Sequence, residues 1–292
     1  MKAPQHVHCP LCGLSPATVV LTIEQPDRFE RAAGVGADGY RRWWAQCERC
    51  GLLIDVLTRP DLAAIYLDAY YSPAVERETP AERYARIMAL PRDRSDNALR
   101  VRRILRFLDE AGAAGQAGDG RTRRVLDIGA GTGVFLTRFL EDAPHWQGTA
   151  LEPNAAACAH LRSLDRFAVV EGCFPEAAPA KRHDLVTLNK VLEHLPDPLA
   201  ILRRLPAIMT DDGLAYVEVP DKLTAWLRPA TDNILGSLHH YLFDPVTLAK
   251  LLELAGFSTL WLRRYAEPSG KITVCALAAT MDSFKRQAGG HK

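Results

Sequence analysis

Residues 125–133 read VLDIGAGTG, and this stretch decides the fold of the chain. The strand-like segment VLDI runs into a glycine-rich turn, and the following segment VFLTRFL has its apolar residues at helical spacing. Strand, turn and helix in this order are typical of a doubly wound α/β sheet, in which ligands bind at the carboxyl ends of the strands. Glycines at the turn let the backbone approach such a ligand closely.

The alternation of strand-like and helical segments continues to residue 281, which predicts an α/β fold with a doubly wound, seven-stranded, mostly parallel, Rossmann-like sheet. Only the turn AEPSGK joins the last two strands, which predicts a hairpin and an antiparallel strand at one edge of the sheet. Asp197–Pro198 and Asp244–Pro245 predict helix starts, and Pro206 predicts a kink or an early helix end. The other predicted strands are GTALEPN, AVVEG, DLVTLN, LAYVEVP, STLWLRRY and ITVCALAA.

The spacing of the glycines and two acidic residues indicate the kind of ligand. Gly129, Gly131 and Gly133 read G-x-G-x-G, whereas a dinucleotide fingerprint reads G-x-G-x-x-G. A carboxylate at Asp127 would repel a pyrophosphate but would suit an ammonium group. Glu152, at the end of the next strand, can accept hydrogen bonds from both ribose hydroxyls. The pattern favours S-adenosylmethionine over a dinucleotide, and a tight turn without any ligand is the alternative.

Residues 123–281 resemble a class I S-adenosylmethionine-dependent methyltransferase through VLDIGAGTG, LEPN, EGCF, DLVTLNKVLEHLPDP and LAGF. The resemblance implies that the glycine turn lines the methionine moiety and that Glu152 holds the ribose. It further implies that Cys173 and Phe174 flank the adenine, and that the backbone around Asn189 and Lys190 closes over the cofactor. The predicted cofactor-binding residues are Asp127, Gly129, Ala130, Gly131, Gly133, Glu152, Pro153, Cys173, Phe174, Asn189 and Lys190.

Two Cys-x-x-Cys pairs stand near the N-terminus, Cys9 with Cys12 and Cys47 with Cys50, and each pair is followed by glycine. Two such turns can supply four sulfurs in a tetrahedron around a structural Zn²⁺ ion. Metal-free turns or a redox couple are the alternatives, and a redox couple favours a pair at a helix start. The order CPLCG, CERCGLL, AIYLDAYYSP resembles the zinc-binding front ends of bacterial methyltransferases that act on sugars and surface polysaccharides.

The 292 residues divide into four predicted parts. Residues 1–58 form a small zinc-ribbon-like module, and residues 59–120 form a helical cap and linker. Tyr66, Tyr70 and Tyr71 in this cap could be a lid over the acceptor or core aromatic residues. Residues 121–281 form the S-adenosylmethionine-binding catalytic domain, and residues 282–292 form a tail.

Two histidine-containing segments are expected at the carboxyl edge of the sheet, where the reaction would take place. His194 follows the fourth predicted strand, beside the expected methyl group, and can serve as a general base that Glu193 could orient. The segment LHHYLFDP places His239, His240 and Tyr241 where they could line the acceptor pocket. The predicted catalytic residues are His194, His240 and Tyr241, and a purely structural role is the alternative for both segments.

The composition and net charge of the chain limit the classes of function that it could have. A net charge of +1 weighs against a large nucleic-acid surface. No apolar run approaches the roughly 18 residues of a membrane span, and no signal peptide is evident, so we expect a cytoplasmic protein without a membrane partner. The predicted reaction is methyl transfer to a hydroxyl, or to a carbon, of a sugar, nucleotide-sugar or related metabolite. The alternatives are an RNA methyltransferase, with RVRRILR and RTRR contacting phosphates, and a non-catalytic cofactor-binding scaffold.

Overall fold

A computed structural model of the chain describes residues 3–56, 78–110 and 121–284. The predicted lid tyrosines Tyr66, Tyr70 and Tyr71 and the linker 111–120 lie outside the described residues. Among the helices of the described ranges, none is both long and apolar enough to span a membrane.

The N-terminal part forms an antiparallel sheet of four consecutive strands, each paired with the next. Glycines turn the chain tightly after each cysteine pair, since Gly13 has φ +71° and Gly51 has φ +78°. The strands are β1 (His6–Cys9), β2 (Gly13–Ile23), β3 (Arg42–Cys47) and β4 (Leu53–Val56).

The second half of the chain forms the predicted seven-stranded sheet, whose order is β11-β12-β9-β8-β5-β6-β7. All pairs from β9 to β7 are parallel, whereas β12 is antiparallel to both of its neighbours. The doubly wound, mostly parallel sheet is therefore confirmed. Its strands are β5 (Arg123–Ile128), β6 (Trp146–Glu152), β7 (Ala168–Glu171), β8 (His183–Asn189), β9 (Met209–Pro220), β11 (Phe257–Ala266) and β12 (Ile272–Thr280).

The hairpin is present, but the prediction that its antiparallel strand forms the sheet edge is wrong. β12 inserts between β9 and β11, because its residues 273–279 are apolar or small and are buried on both faces. β11 takes the edge, where Arg263 and Arg264 reach solvent. A strand that is apolar on both faces is stable only with neighbours on both sides.

Helices cover both faces of the large sheet, and two helix starts are as predicted. Asp197 accepts a hydrogen bond from the Ala200 N–H, and Asp244 accepts one from the Thr247 N–H. The helix before Pro206 ends at Leu202, and a 3₁₀ turn takes up the proline. The helices are α1 (Arg28–Ala32), α2 (Pro80–Met88), α3 (Asp96–Glu110), α4 (Val134–Asp142), α5 (Ala155–Ser163), α6 (Pro198–Leu202), α7 (Thr224–Leu227) and α8 (Pro245–Leu254).

The N-terminal sheet shares a core with the large sheet. One face of β5, β8 and β9 packs with α8 and with Cys9 and Cys47 of the N-terminal part in a single apolar cluster. A fifth strand, β10 (Tyr241–Leu242), comes from the segment before α8 and pairs with β4. Residues before and after position 58, the predicted end of the N-terminal module, therefore share one sheet and one core.

Candidate functional site

A cavity of about 680 Å³ opens at the carboxyl ends of the central strands. This is the edge at which doubly wound sheets bind ligands, and the volume is in the range of cofactor and small-molecule sites. The predicted cofactor residues that line it are Asp127, Gly129, Ala130, Gly131, Glu152, Asn189 and Lys190.

The glycine turn forms one wall of this cavity. Gly129 and Gly131 have φ +71° and +55°, a conformation that residues with a side chain rarely adopt. A Cβ atom on Gly129 would stand 2.7 Å from Cγ2 of Val191, so the site also lacks room for a side chain. The Gly129 N–H donates to the Leu151 carbonyl at 2.8 Å, which ties the turn to the end of β6.

Gly133 serves a different purpose from the one predicted. It does not line the cavity but caps the start of α4 with φ +78°. A Cβ atom there would stand 2.6 Å from Cδ2 of Leu161 in α5. The third glycine therefore allows α4 and α5 to pack closely, and of the three glycines Gly129 and Gly131 line the cavity.

Gly133→Ala is expected to lower the free energy of unfolding by about 2–4 kcal/mol, because it combines overpacking with a left-handed backbone. Gly256→Ala is the matched control, since Gly256 has φ +89° but no heavy atom within 4 Å of the place that a Cβ atom would take. The control retains only the backbone cost of about 1–2 kcal/mol. Urea unfolding measures both, and equal losses would contradict the packing role.

Asp127 lies at the end of β5 and is buried. One of its carboxylate oxygens, Oδ1, accepts hydrogen bonds from Thr187 Oγ1 at 2.6 Å and from Asn189 Nδ2 at 2.8 Å. Burial raises the pKa of Asp127 to about 6, against the opposing effect of these two donors. Thr187 is a site residue that sequence reasoning missed, although it pairs directly with Asp127 across β5 and β8.

Glu152 is held at the end of β6 by two backbone donors. Its carboxylate accepts from the Gly131 N–H at 2.8 Å and from the Asn154 N–H at 3.0 Å, and burial raises its pKa. The Gly172 N–H donates to the Glu152 carbonyl at 3.0 Å, which brings the following turn alongside. On that turn Cys173 is exposed and Phe174 is buried in the core.

Pro153, Cys173 and Phe174 differ from the other predicted cofactor residues because they do not line the cavity. Pro153 directly follows Glu152 in sequence. Cys173 and Phe174 directly follow Gly172, whose N–H donates to the Glu152 carbonyl. Contact between Cys173, Phe174 and an adenine ring stays a prediction.

The two predicted histidine segments meet at a wall of the cavity. His194 and His239 both line the cavity, and their ring centroids are 4.5 Å apart. Nδ1 of His194 donates to the Leu238 carbonyl at 2.9 Å, and Nδ1 of His239 donates to the Ile234 carbonyl at 2.6 Å. Burial lowers the pKa of His194 to about 4 and lowers that of His239 as well, so both rings are neutral near pH 7.

His240 and Tyr241 do not lie where the prediction of a catalytic role needs them. Neither lines the cavity, because this segment forms β10, and Tyr241 faces Ile54 of β4. The Tyr241 hydroxyl donates to the Pro196 carbonyl at 2.7 Å. The loop therefore presents His239 to the cavity in their place.

Glu193 does not orient His194 in the way proposed from the sequence. Its carboxylate has no exposed surface, and neither oxygen makes a hydrogen bond with any residue that the structure describes. Both histidine Nδ1 atoms bind backbone carbonyls instead. Burial raises the pKa of Glu193 to about 8.

A buried ion pair, of which Arg100 lines the cavity, was also missed. Arg100 of α3 makes two hydrogen bonds to the carboxylate of Glu218 in β9, at 2.7 and 2.5 Å. Arg103 pairs with Glu267, so part of the segment RVRRILR points inward. Arg106 does reach solvent. The signal was available, because Arg100 precedes the buried Ile104 by one helical turn.

The four paired cysteines form a second site. The sulfur atoms of Cys9, Cys12, Cys47 and Cys50 all lie within 4.8 Å of one another, and no disulfide joins them. Cys9 and Cys50 Sγ are 3.5 Å apart, close to the roughly 3.8 Å edge of a tetrahedron with Zn–S bonds of about 2.3 Å. The neighbouring thiol of Cys9 raises the pKa of Cys50, so four thiolates here require a cation.

Comparison with known proteins places this chain in a family. Residues 92–261 match the model of the methyltransferase domain family, and the chain belongs to that family. The C-methyltransferase NovU of Streptomyces niveus is 28% identical over 169 residues, which cover 56% of this chain and 40% of NovU. A ubiquinone biosynthesis O-methyltransferase of Xanthomonas axonopodis pv. citri is 27% identical over 176 residues, covering 55% of this chain and 69% of that protein.

A solved structure shares the fold. The 1,6-didemethyltoxoflavin-N1-methyltransferase of Burkholderia thailandensis, determined with bound 1,6-didemethyltoxoflavin and S-adenosylhomocysteine, is 21% identical with a TM-score of 0.51. The match covers 78% of this chain and 95% of that one. The chain spans between 40% and 69% of the length of the curated relatives named above.

Proposed function

We propose that the protein is an S-adenosylmethionine-dependent methyltransferase that acts on a small-molecule acceptor. The observation that carries this proposal is the cavity wall formed by Asp127, the glycine turn and Glu152, in a chain of the methyltransferase domain family. The relatives are named as a C-methyltransferase and a ubiquinone biosynthesis O-methyltransferase, and the solved neighbour was determined with 1,6-didemethyltoxoflavin and S-adenosylhomocysteine.

The cofactor roles follow from the chemistry of this wall. Asp127 would bind the ammonium group of the methionine moiety, and the Glu152 carboxylate would accept hydrogen bonds from the ribose hydroxyls. The backbone of Gly129 and Gly131 leaves the space that the cofactor chain would occupy. Pyrophosphate is disfavoured because two buried carboxylates flank the turn.

Affinity for S-adenosylhomocysteine is expected to fall as the pH drops through 6, because Asp127 must be ionised to attract an ammonium group. Its raised pKa of about 6 puts protonation in that range, and affinity should fall by up to about tenfold per pH unit below it. Calorimetry between pH 5 and 8 measures this. Asp127→Asn should bind more weakly at pH 7.5 and show a flatter profile, and an unchanged profile would contradict the role of Asp127.

The acceptor would enter the same cavity beside His194 and His239. Cationic side chains also line it, including Arg83, Arg94 and Lys271, which suits an acceptor that carries negative charge. A nucleotide-sugar fits this description, and methylation at a hydroxyl is preferred to methylation at carbon. His194 as the general base and a cytoplasmic location remain predictions.

The four cysteines would hold a structural Zn²⁺ ion, because they offer four sulfurs within 4.8 Å of one another and leave no position open for substrate. The N-terminal sheet would thereby be fixed beside the catalytic part. The His240 carbonyl accepts from the Asp55 N–H at 2.9 Å, and the His240 N–H donates to the Glu193 carbonyl at 2.6 Å. These bonds link the N-terminal sheet to the histidine wall.

Methyl transfer from labelled S-adenosylmethionine to a panel of nucleotide-sugars, free sugars, phenols and RNA tests the proposal. Transfer to a small molecule is expected, and it should disappear in Asp127→Asn at low cofactor concentration. Exclusive transfer to RNA would contradict the proposed acceptor class. The burial of Arg100 and Arg103 weighs against the phosphate contacts that the RNA alternative needs.

A further inference from the structure

We propose that Glu193, His194 and His239 bind a divalent transition-metal ion on the acceptor side of the cavity, in addition to the zinc expected at the four cysteines. A carboxylate oxygen of Glu193 and one ring nitrogen of each histidine lie within 4.8 Å of one another. All three residues line the cavity. This inference rests on the proposed function, because the ion would act on the methyl acceptor.

The carboxylate of Glu193 is the first reason for placing a cation here. It has no exposed surface and makes no hydrogen bond within the described ranges. A buried carboxylate without a hydrogen bond is costly to ionise, and a metal ion would supply a compensating charge. The charges of Lys190 and Lys271 favour ionisation of Glu193, but Lys190 Nζ makes no hydrogen bond to it and lies 3.5 Å from Glu218.

The orientation of the two histidines is the second reason. A carbonyl oxygen can only accept, so Nδ1 of each ring carries the proton and the lone pair of each neutral ring is on Nε2. Metal-binding histidines characteristically donate the other ring N–H to a backbone carbonyl or a carboxylate, which fixes the tautomer. A histidine base oriented by Glu193 would instead donate Nδ1–H to that carboxylate, and neither ring does so.

The two segments that supply the ligands are tied together before any ion binds. His194 Nδ1 reaches the carbonyl of Leu238, and the His240 N–H reaches the carbonyl of Glu193 at 2.6 Å. Each segment therefore holds a ligand of the other in place. Such preorganisation lowers the cost of assembling a coordination site.

Two imidazoles and one carboxylate define the class of ion. This set suits Zn²⁺, Fe²⁺ and related divalent ions, and three protein ligands leave positions open for substrate. An acceptor hydroxyl bound there would have a lowered pKa, as metal-bound water does. On transfer the C–S bond of the sulfonium breaks and a C–O bond forms. The hydroxyl proton passes to solvent, and S-adenosylhomocysteine remains.

Metal ligation excludes the predicted role of His194 as general base, because a coordinated Nε2 has no lone pair left to accept a proton. The two roles therefore predict different consequences for Glu193. If the ion binds here, Glu193 is one of its ligands, and removal of the carboxylate lowers the metal content. If His194 is instead a base without a metal, removal of the carboxylate leaves the metal content unchanged.

Cobalt substitution of the full chain tests the site directly. Protein produced with Co²⁺ in place of zinc is dialysed against a series of Co²⁺ concentrations, and the wild type should bind two ions. The cysteine site should give thiolate-to-cobalt charge-transfer absorption, and the second site should give only weaker d–d bands. Glu193→Gln and His239→Asn should each weaken the second ion at least tenfold and keep the charge-transfer band. Asp96→Asn, which removes another cavity carboxylate, should keep both ions.

Retention of the charge-transfer band and an unchanged circular dichroism spectrum show that a variant is folded. A single ion per chain in the wild type, or two ions in folded Glu193→Gln, would overturn the proposal. Calorimetry with S-adenosylhomocysteine on the same samples separates the metal site from the proposed function. Cofactor binding with one ion per chain would contradict only the second metal site, whereas absence of cofactor binding would contradict the proposed function.

Discussion

Replacing Glu218 by glutamine is expected to lower the free energy of unfolding by about 3–5 kcal/mol, the usual cost of breaking a buried ion pair from one side. Glu218 has no exposed surface and accepts from Arg100 and from the Tyr216 hydroxyl at 2.8 Å. Its loss leaves the Arg100 guanidinium buried without its carboxylate. The pair fixes α3 to β9, and Arg100 lines the cavity, so we also expect weaker cofactor binding.

Urea unfolding measures this loss, and Arg106→Ala on the same helix is its matched control. Arg106 and Glu110 form an i,i+4 pair whose side chains are 79% and 62% exposed, so its removal should cost no more than about 0.5 kcal/mol. A loss of similar size in both variants would show that the buried pair contributes no more to the free energy of unfolding than the exposed pair does.

The effect of Glu218 should also depend on pH. Burial acts in the opposite direction, but the Arg100 guanidinium holds the pKa of Glu218 well below its usual range. A lowered folded-state pKa stabilises the protein above the unfolded value of about 4.3, and this contribution is lost as the pH falls below it. The difference between wild type and Glu218→Gln should therefore shrink below about pH 4.

Cys47→Ser is expected to remove the zinc ion and to unfold the N-terminal sheet. Loss of one outer-shell partner already costs a metal site 10- to 100-fold in affinity, so loss of a thiolate ligand should cost more than about 100-fold. Structural zinc contributes its binding free energy to folding. Cys47 is fully buried in the shared core, so the thermal transition of the whole chain should also shift downward.

Metal analysis and thermal unfolding test this prediction together. Cys173→Ser is the control, because Cys173 is exposed and lies outside the four-cysteine cluster. The control should retain the zinc and the transition temperature of the wild type. Wild-type protein purified without zinc, yet with the same stability as Cys47→Ser, would contradict a structural metal.

The pattern of short apolar segments was sufficient to predict the large sheet, because period and spacing determine strands and helices locally. The position of β12 was not predictable in the same way, because strand order depends on which faces other elements cover. Its small and apolar residues 273–279 could have indicated a strand buried on both sides.

The candidate site also contains residues that were predicted from the sequence and residues whose positions were not. Asp127 and Glu152 were predicted because each ends a strand, and parallel strands end at one edge. Gly133 and Tyr241 differ from their predicted positions because packing of α4 on α5 and pairing of β10 with β4 are tertiary events. The pair of Arg100 and Glu218 spans 118 residues, so only one half of it, the inward position of Arg100, was readable locally.

Isothermal titration calorimetry with S-adenosylhomocysteine and with NAD⁺ tests the central claim most directly, which is that the cavity accepts an adenosyl amino acid and not a dinucleotide. We expect one S-adenosylhomocysteine per chain at pH 7.5, affinity reduced at least tenfold in Asp127→Asn, and no detectable heat from NAD⁺. Tight binding of NAD⁺ without binding of S-adenosylhomocysteine would contradict this claim.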